Sequence, residues 1–239
     1  MKVIILAAGY ATRLYPLTEN FPKPLLKVGG KPILDWLIED LSPVTEEFIV
    51  VTNHKFARHF LDWSAGKPVR VIDDGTESND TRLGAVKDIQ LAAEGIDDDV
   101  FVMAGDNVLD FSLRPFVMFA REKDTPCVMC HEENDPQKQR RTAIITVDGE
   151  NRITSYEEKP PVPKGKLAVP PFYYYRRGDL GRIPEALNAG CGYDAPGSFA
   201  AWLSRQTPMK AYPMQGSRYD IGNLESYEAI KASYNGITH

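Results

Sequence analysis

Cysteine is scarce in this chain: three in 239 residues, an odd number. That argues against a disulfide framework and fits a reduced, cytoplasmic protein. Histidine is scarce too, with four, and His54, His59 and His239 show no metal-ligand spacing. No apolar run approaches the roughly 18 residues needed to span a bilayer. The apolar start, Val3-Ile4-Ile5-Leu6, is near the minimum for a signal peptide, and the loop after it has a better explanation. Basic excess is absent as well: the formal net charge is −5, which argues against non-specific nucleic-acid or anionic-membrane binding. What remains is an ordinary composition, 43% apolar and 26% charged, enough to bury a full core as one α/β domain. No internal repeat or low-complexity tract occurs. One string, Cys127-Val128-Met129-Cys130-His131, matches a haem-attachment pattern. It reads as a strand, however, with positions 127 and 130 on opposite faces, which disfavours haem or a shared metal.

Glycine is missing where a dinucleotide fold would need it. After the strand at the N-terminus comes LAAGYATRLYPLTENFPKPL (positions 6–25), with Gly9 its only glycine. G-x-G-x-x-G is absent, the second strand ends Val51-Thr52-Asn53 without an acid, and no P-loop occurs. What the loop does carry is charge and stiffness. Gly9 permits close approach of backbone to a ligand. Arg13 offers a planar fork suited to phosphate oxygens, and Lys23 a point charge. Pro22 and Pro24 restrict the chain on both sides of Lys23. Backbone N–H groups leaving a strand suit phosphate. On chemistry alone, a surface loop with solvated cations weighs about as much as a phosphate cradle.

Short β-branched runs alternate with helical patterns. Strands are expected at 2–7, 47–52, 69–72, 100–103, 127–131, 143–147, 152–156 and 172–176. Helices are expected at 32–41, 54–63, 83–93, 113–123, 196–204 and 224–234. The first half reads β-α-β-α-β-α-β, the pattern of a parallel sheet with crossover helices; the second half is richer in strands. The segment 157–171 holds five prolines and reads as a loop. Ligands of open parallel sheets sit beyond the carboxyl ends of strands. Gly9, Arg13 and the Gly105-Asp106-Asn107 turn are therefore expected on one rim.

Gly9-Tyr10-Ala11-Thr12-Arg13-Leu14-Tyr15-Pro16-Leu17-Thr18, followed by Pro22-Lys23-Pro24-Leu25, closely resembles the signature of the sugar-phosphate nucleotidylyltransferases. The resemblance continues through Gly105-Asp106-Asn107, Glu157-Glu158-Lys159-Pro160 and Tyr219-Asp220-Ile221-Gly222. It implies a Rossmann-like, three-layer α/β fold with a mixed, mainly parallel central sheet. It implies a single domain over 1–239, with a nucleotide-binding half (about 1–110) and an acceptor-binding half (about 111–239). The implied reaction is attack of an acceptor phosphate on the α-phosphorus of a nucleoside triphosphate, giving an NDP-sugar and pyrophosphate. Like charges at about 4 Å repel by roughly 1 kcal/mol in water and several-fold more in a partly buried site, so cations are needed before positioning helps. Mg²⁺ suits that role. No general base is required, because a phosphate monoester is already ionised near pH 7.

By resemblance, Arg13 and Lys23 hold the triphosphate with Leu6, Ala8, Gly9, Tyr10, Ala11 and Thr12. Asp106 and Asp220, 114 positions apart, meet as the metal pair. Lys159 binds the acceptor phosphate and Glu158 its sugar, with Asn107 beside them. Asp74-Gly75 and Leu83-Gly84 look like the base-recognition region. Ala85-Val86 follow where many thymidylyltransferases carry a glutamine, so dTTP, UTP and CTP all remain open as donors. Many relatives are homo-oligomers.

The acceptor side departs from the pattern. Relatives have an aromatic-glycine pair where this chain has Thr142-Ala143, and a glycine turn where it has Val169-Pro170-Pro171. The acceptor is therefore expected to differ from glucose 1-phosphate, or its site to be reshaped, with Ala143, Pro171 and Tyr173 in the wall. Tyr173-Tyr174-Tyr175 alternates across a strand, so one or two rings face the pocket unless they only pack the sheet. The rival readings are a cytidylyltransferase for a non-sugar phosphate or phosphonate, and a catalytically silent nucleotide-sugar-binding regulator.

Overall fold

The structure, a computed structural model, describes residues 1–45 and 47–238; His239, considered above as a metal ligand, lies outside them. The strands are β1 (Lys2–Leu6), β2 (Lys27–Val28), β3 (Lys31–Pro32), β4 (Phe48–Thr52), β5 (Val69–Asp73), β6 (Val100–Ala104), β7 (Val108–Leu109), β8 (Cys127–Glu132), β9 (Ala143–Val147), β10 (Ile153–Glu158), β11 (Leu167–Val169), β12 (Phe172–Tyr175), β13 (Lys210–Pro213) and β14 (Arg218–Tyr219). The helices are α1 (Ile33–Leu41), α2 (Ala57–Ser64), α3 (Ala85–Ala93), α4 (Arg114–Lys123), α5 (Pro136–Gln139), α6 (Ile183–Asn188), α7 (Gly197–Leu203) and α8 (Leu224–Ser233). They fall into two compact units. Met1–Leu83, Ala104–Pro115 and Gln215–His239 make unit 1; Gly84–Met103 and Phe116–Met214 make unit 2. Among the described residues no helix is long and apolar enough to cross a membrane.

Unit 1 carries the parallel pattern read from the sequence. β1 pairs with β4, and β4 with β5, both in parallel. Every residue of β4 is buried, as expected of a parallel strand covered on both faces. α1 turns Ile33, Leu34, Leu37, Ile38 and Leu41 into the core, one stripe at helical spacing. Each such fully buried side chain contributes about 1.5–3 kcal/mol. The register sets Leu6 against Val51 and Thr52 against Asp73. The three strands therefore end together, and their loops open on the same side.

Unit 2 holds the antiparallel pairings: β10 with β9, β9 with β11, β11 with β8, β8 with β12, and β12 with β6. β13 adds to β8 in parallel. The α/β class with a mixed sheet is therefore what the chain forms. Two readings change. The segment 157–171 is not one loop: β10 runs to Glu158, and β11 forms inside the segment. All five prolines lie outside 167–169, so those backbone N–H groups remain available for pairing. The helices expected at 54–63 and 83–93 start at Ala57 and Ala85. Asn53 holds 54–56 in a tighter turn by accepting from the Phe56 N–H (3.0 Å), and Gly84 at φ 95° keeps the chain out of helix. Short elements such as β7, β14, α5 and α6 escape sequence reading because none is long enough to repeat its own pattern.

Candidate functional site

In unit 1 the loop after β1 is built around the strand ends. The Asn53 side chain donates to the Ala8 carbonyl (2.9 Å). Ala11 takes a left-handed conformation, φ 48°, steadied by the Thr18 hydroxyl donating to its carbonyl (2.8 Å). That turn starts the short helical turn Thr12–Leu14 and presents Arg13, which is exposed. A Cβ added at Gly9 would meet nothing within 4 Å. The protein does not itself need glycine there, so the space above it is free for a ligand.

Lys23 is 8% exposed and donates to Asp106 Oδ2 at 2.7 Å. Burial opposes charge on Asp106, but the charge and hydrogen bond of Lys23, with the field of Arg218, hold its carboxyl below the ordinary value. Leu6, Gly9, Ala11, Thr12, Arg13 and Lys23 line a cavity of about 440 Å³. Asp106, Asp220 and Gly222 line the same cavity.

The meeting of Asp106 with Asp220 follows from strand register. β14 pairs antiparallel with β7, Tyr219 opposite Val108 and Arg218 opposite Leu109. One step further, Asp220 falls opposite Asn107, beside Asp106. Asp110 clamps this ribbon: its Oδ1 accepts from the Ser217 N–H (2.7 Å), and its Oδ2 from the Tyr219 hydroxyl (2.9 Å). Arg218 donates to Asn107 Oδ1 (3.3 Å). Neither Arg218 nor Asp110 was selected from the sequence. The available signal was the position of Arg218 two residues before Asp220, which places both on one face of a strand.

The other residues of unit 1 expected to meet the nucleotide form a network off this cavity wall. Tyr10, buried, donates its hydroxyl to the Thr76 carbonyl (3.0 Å), and burial raises its pKa. Asp74 Oδ1 accepts from the Thr76 N–H and hydroxyl (both 2.7 Å), and burial raises its pKa. Asp74 Oδ2 is buried without a partner. Asp73 accepts from the Gly75 N–H (2.8 Å) and pairs with His54 (2.6 Å), raising the His54 pKa. Leu83 closes unit 1. Gly84 opens unit 2, where its Cα packs on Tyr193: an added Cβ would lie 2.7 Å from the Tyr193 carbonyl oxygen. The first N–H groups of α3 are also engaged, Ala85 with the Asp194 carbonyl (3.3 Å) and Val86 with that of Tyr193 (2.9 Å).

Within unit 2, Ala143, Glu158 and Lys159, expected on the acceptor side, meet at one set of strand ends. β9 is antiparallel to both β10 and β11, so its start meets their finish: Ala143 lies opposite Glu158 and Val169. The Lys159 N–H donates to the Thr142 carbonyl (3.2 Å). Lys159 has φ 46°, a left-handed conformation that costs a non-glycine residue about 1–3 kcal/mol and is found more often at functional positions. Ala143 is 3% exposed, so its methyl group faces protein. Pro171 follows in a tight turn in which the Phe172 N–H donates to the Pro170 carbonyl (2.7 Å).

Glu158 and Tyr156 share a face of β10. Both lie against Gly197 at the start of α7, where an added Cβ would strike the Glu158 carboxylate and come within 3.2 Å of the Tyr156 hydroxyl. Burial raises the Glu158 pKa, with Lys159 opposing. Tyr173 and Tyr175 stack on one face of β12 (6.2 Å); Tyr174, on the other, donates to Asp99 (2.6 Å). Cys127 and Cys130 are buried in β8, with burial pushing their thiols up to about 12 and about 11.

An α/β fold whose β1 loop brings two cations, and whose turns after β6 and β14 bring two carboxylates, to one cavity is of the kind suited to handling phosphate. The chain belongs to the nucleotidyl transferase family, whose model matches residues 2–236. It is 30% identical to the UTP–glucose-1-phosphate uridylyltransferase AglF of Haloferax volcanii, over 94% of this chain and 93% of that protein. It is 28% identical to the bifunctional protein GlmU of Methanocaldococcus jannaschii, over 93% of this chain but only 51% of the relative; the chain spans about half the length of that protein. Two solved structures share the fold. A UDP-glucose pyrophosphorylase complexed with UDP-glucose superposes with a TM-score of 0.82 at 19% identity, over 98% of this chain and 97% of the other. The CTP:phosphocholine cytidylyltransferase of Streptococcus pneumoniae does so with 0.77 at 20%, over 98% and 99%.

Proposed function

We propose that this nucleotidyltransferase joins a nucleoside triphosphate (dTTP, UTP or CTP) to a sugar 1-phosphate, releasing pyrophosphate and forming an NDP-sugar. The observation that carries the reading is the unit 1 cavity, where Arg13, Lys23, Asp106 and Asp220 converge. Arg13 and Lys23 would bind the β- and γ-phosphates and offset charge as pyrophosphate leaves. Leu6, Gly9, Ala11 and Thr12 would shape the wall against the nucleotide. The oxygen of the acceptor phosphate attacks the α-phosphorus, forming a P–O bond as the bond to pyrophosphate breaks. That nucleophile is already ionised near neutral pH, so catalysis comes from position and charge rather than a base.

Two carboxylates on one polar cavity fit Mg²⁺, which binds through one or two carboxylates, phosphates and waters. Asp106 and Asp220 would hold it, and bound there it would neutralise charge on the phosphates. In unit 2, Lys159 would bind the acceptor phosphate and Glu158 the sugar hydroxyls, with Ala143, Pro171 and Tyr173 shaping the wall. Asp74, Gly75, Leu83 and Gly84 would face the base. The free cysteines suit a reducing cytoplasm.

The test is a matrix of five nucleoside triphosphates against phosphorylated acceptors with and without Mg²⁺, read by pyrophosphate release. Metal-dependent release with one sugar 1-phosphate is the expected result. The Pro170-Pro171 turn favours a second reading, transfer of CMP to a non-sugar phosphate, and release with CTP and such an acceptor alone would establish it. No release with any pair would leave a nucleotide-sugar-binding regulator.

A further inference from the structure

Arg218 is the one cation of the β7–β14 ribbon, and it lies beside Asn107, Asp106 and Asp220, three residues proposed for acceptor or metal. It shares a strand face with Asp220, two residues on. Its guanidinium donates to Asn107 Oδ1 (3.3 Å), and its charge reaches Asp106. Among the described residues it has no ion-pair partner within 4 Å, and its fork is exposed to solvent. The backbone that carries it is fixed from both sides. The Asp110 N–H donates to the Ser217 carbonyl (3.2 Å), Asp110 Oδ1 accepts from the Ser217 N–H (2.7 Å), and Asp110 Oδ2 accepts from the Tyr219 hydroxyl (2.9 Å). A backbone clamp beside an exposed arginine without an ion pair holds the cation in place without neutralising it. A fork held open next to two carboxylates is suited to an anion, and guanidinium matches phosphate oxygens two at a time.

We propose that Arg218 is a further acceptor-binding residue, whose guanidinium takes the phosphate monoester of the incoming acceptor. The inference rests on the transfer reading above. A dianion approaching Asp106 and Asp220 is repelled by both, and Lys23 is already engaged with Asp106 (2.7 Å). Arg218 supplies the missing positive charge on the Asn107 side of that carboxylate. Asn107, accepting from Arg218, sets the orientation of the fork.

The test compares wild type, Arg218→Ala and Arg218→Lys by two readouts. In steady state, Arg218→Ala raises the acceptor KM by at least about tenfold, as loss of a charge-assisted hydrogen bond commonly does. The triphosphate KM stays within about twofold. Arg218→Lys recovers part of the loss, because it keeps the charge and not the fork. In calorimetry, inorganic phosphate is titrated into protein whose donor cavity holds α,β-methylene UTP, and Arg218→Ala weakens it by a similar factor. An unchanged acceptor KM and phosphate affinity, or an equal loss for triphosphate and acceptor, overturns the assignment. If wild type releases no pyrophosphate with any acceptor, the transfer reading fails, and the phosphate titration still decides Arg218: weaker binding in Arg218→Ala supports it, and equal or no binding overturns it.

Discussion

The cavity of unit 1 and the strand-end cluster of unit 2 treat a carboxylate in opposite ways. Asp106 is met by a buried lysine at 2.7 Å and is held below its ordinary pKa. Glu158 sits among tyrosines against Gly197, has only Lys159 to favour its charge, and is pushed up by burial. The first arrangement keeps a carboxylate charged, as the proposed metal and polyphosphate would require. The second holds a carboxyl whose charge burial opposes; on the proposed reading, hydroxyls of the acceptor would donate to it. On the proposed reading, donor binding would rest on compensated charge and acceptor binding on a carboxyl whose charge burial opposes.

Breaking the compensated side should cost most. Asp106→Ala is expected to lower kcat by at least about 100-fold, as loss of a charge-stabilising group does; near-normal pyrophosphate release would remove Asp106 from the metal pair. Lys23→Ala should raise the triphosphate KM by about tenfold or more while the acceptor KM stays put, and initial rates over both substrates separate the two.

On the other side, Gly197→Ala drives a methyl group into the Glu158 carboxylate. A rise of roughly tenfold in acceptor KM is expected, in line with losing one hydrogen bond to a charged group, with the triphosphate KM unchanged. An equal change in both would make Gly197 a fold residue only. The smallest effect sharpens the contrast by pH. A carboxyl whose folded pKa is raised binds protons more readily folded than unfolded, so its presence lowers stability as pH rises past its unfolded value, near 4.5. Glu158→Gln should therefore leave Tm unchanged at pH 4 and raise it by a few degrees at pH 7, as about 1 kcal/mol would in a chain of this size, while acceptor binding weakens. A lower Tm at pH 7 would mean Glu158 is well satisfied in the free protein.

The donor loop was legible in the sequence because its properties are local: Arg13 and Lys23 are cations in a chain stiffened by prolines, directly after a strand. Asp106 and Asp220 were legible only through the resemblance of their motifs. Their meeting depends on the register of two-residue strands, too short for any periodicity to show. Arg218, Asp110 and Gly197 were missed for related reasons. Arg218 and Asp110 act through pairing across 107 positions or more, and Gly197 through what it lacks. Pro170-Pro171 drew attention to a loop and hid β11, whose three residues sit clear of every proline.

The chain leaves unit 1 after Pro115 and returns to it at Gln215, so the carboxylate pair closes a loop of roughly a hundred residues. Such closure costs entropy that grows slowly with length but delays folding, since nothing is gained until the ends meet. During synthesis the loop at Gly9–Lys23 emerges long before Asp220, and the Asp110 clamp closes only once Ser217 and Tyr219 have been made. A chain made only as far as Asp110 therefore carries Lys23 and its partner Asp106 without Asp220. On the proposed reading, such a fragment lacks one of the two carboxylates that would hold the metal.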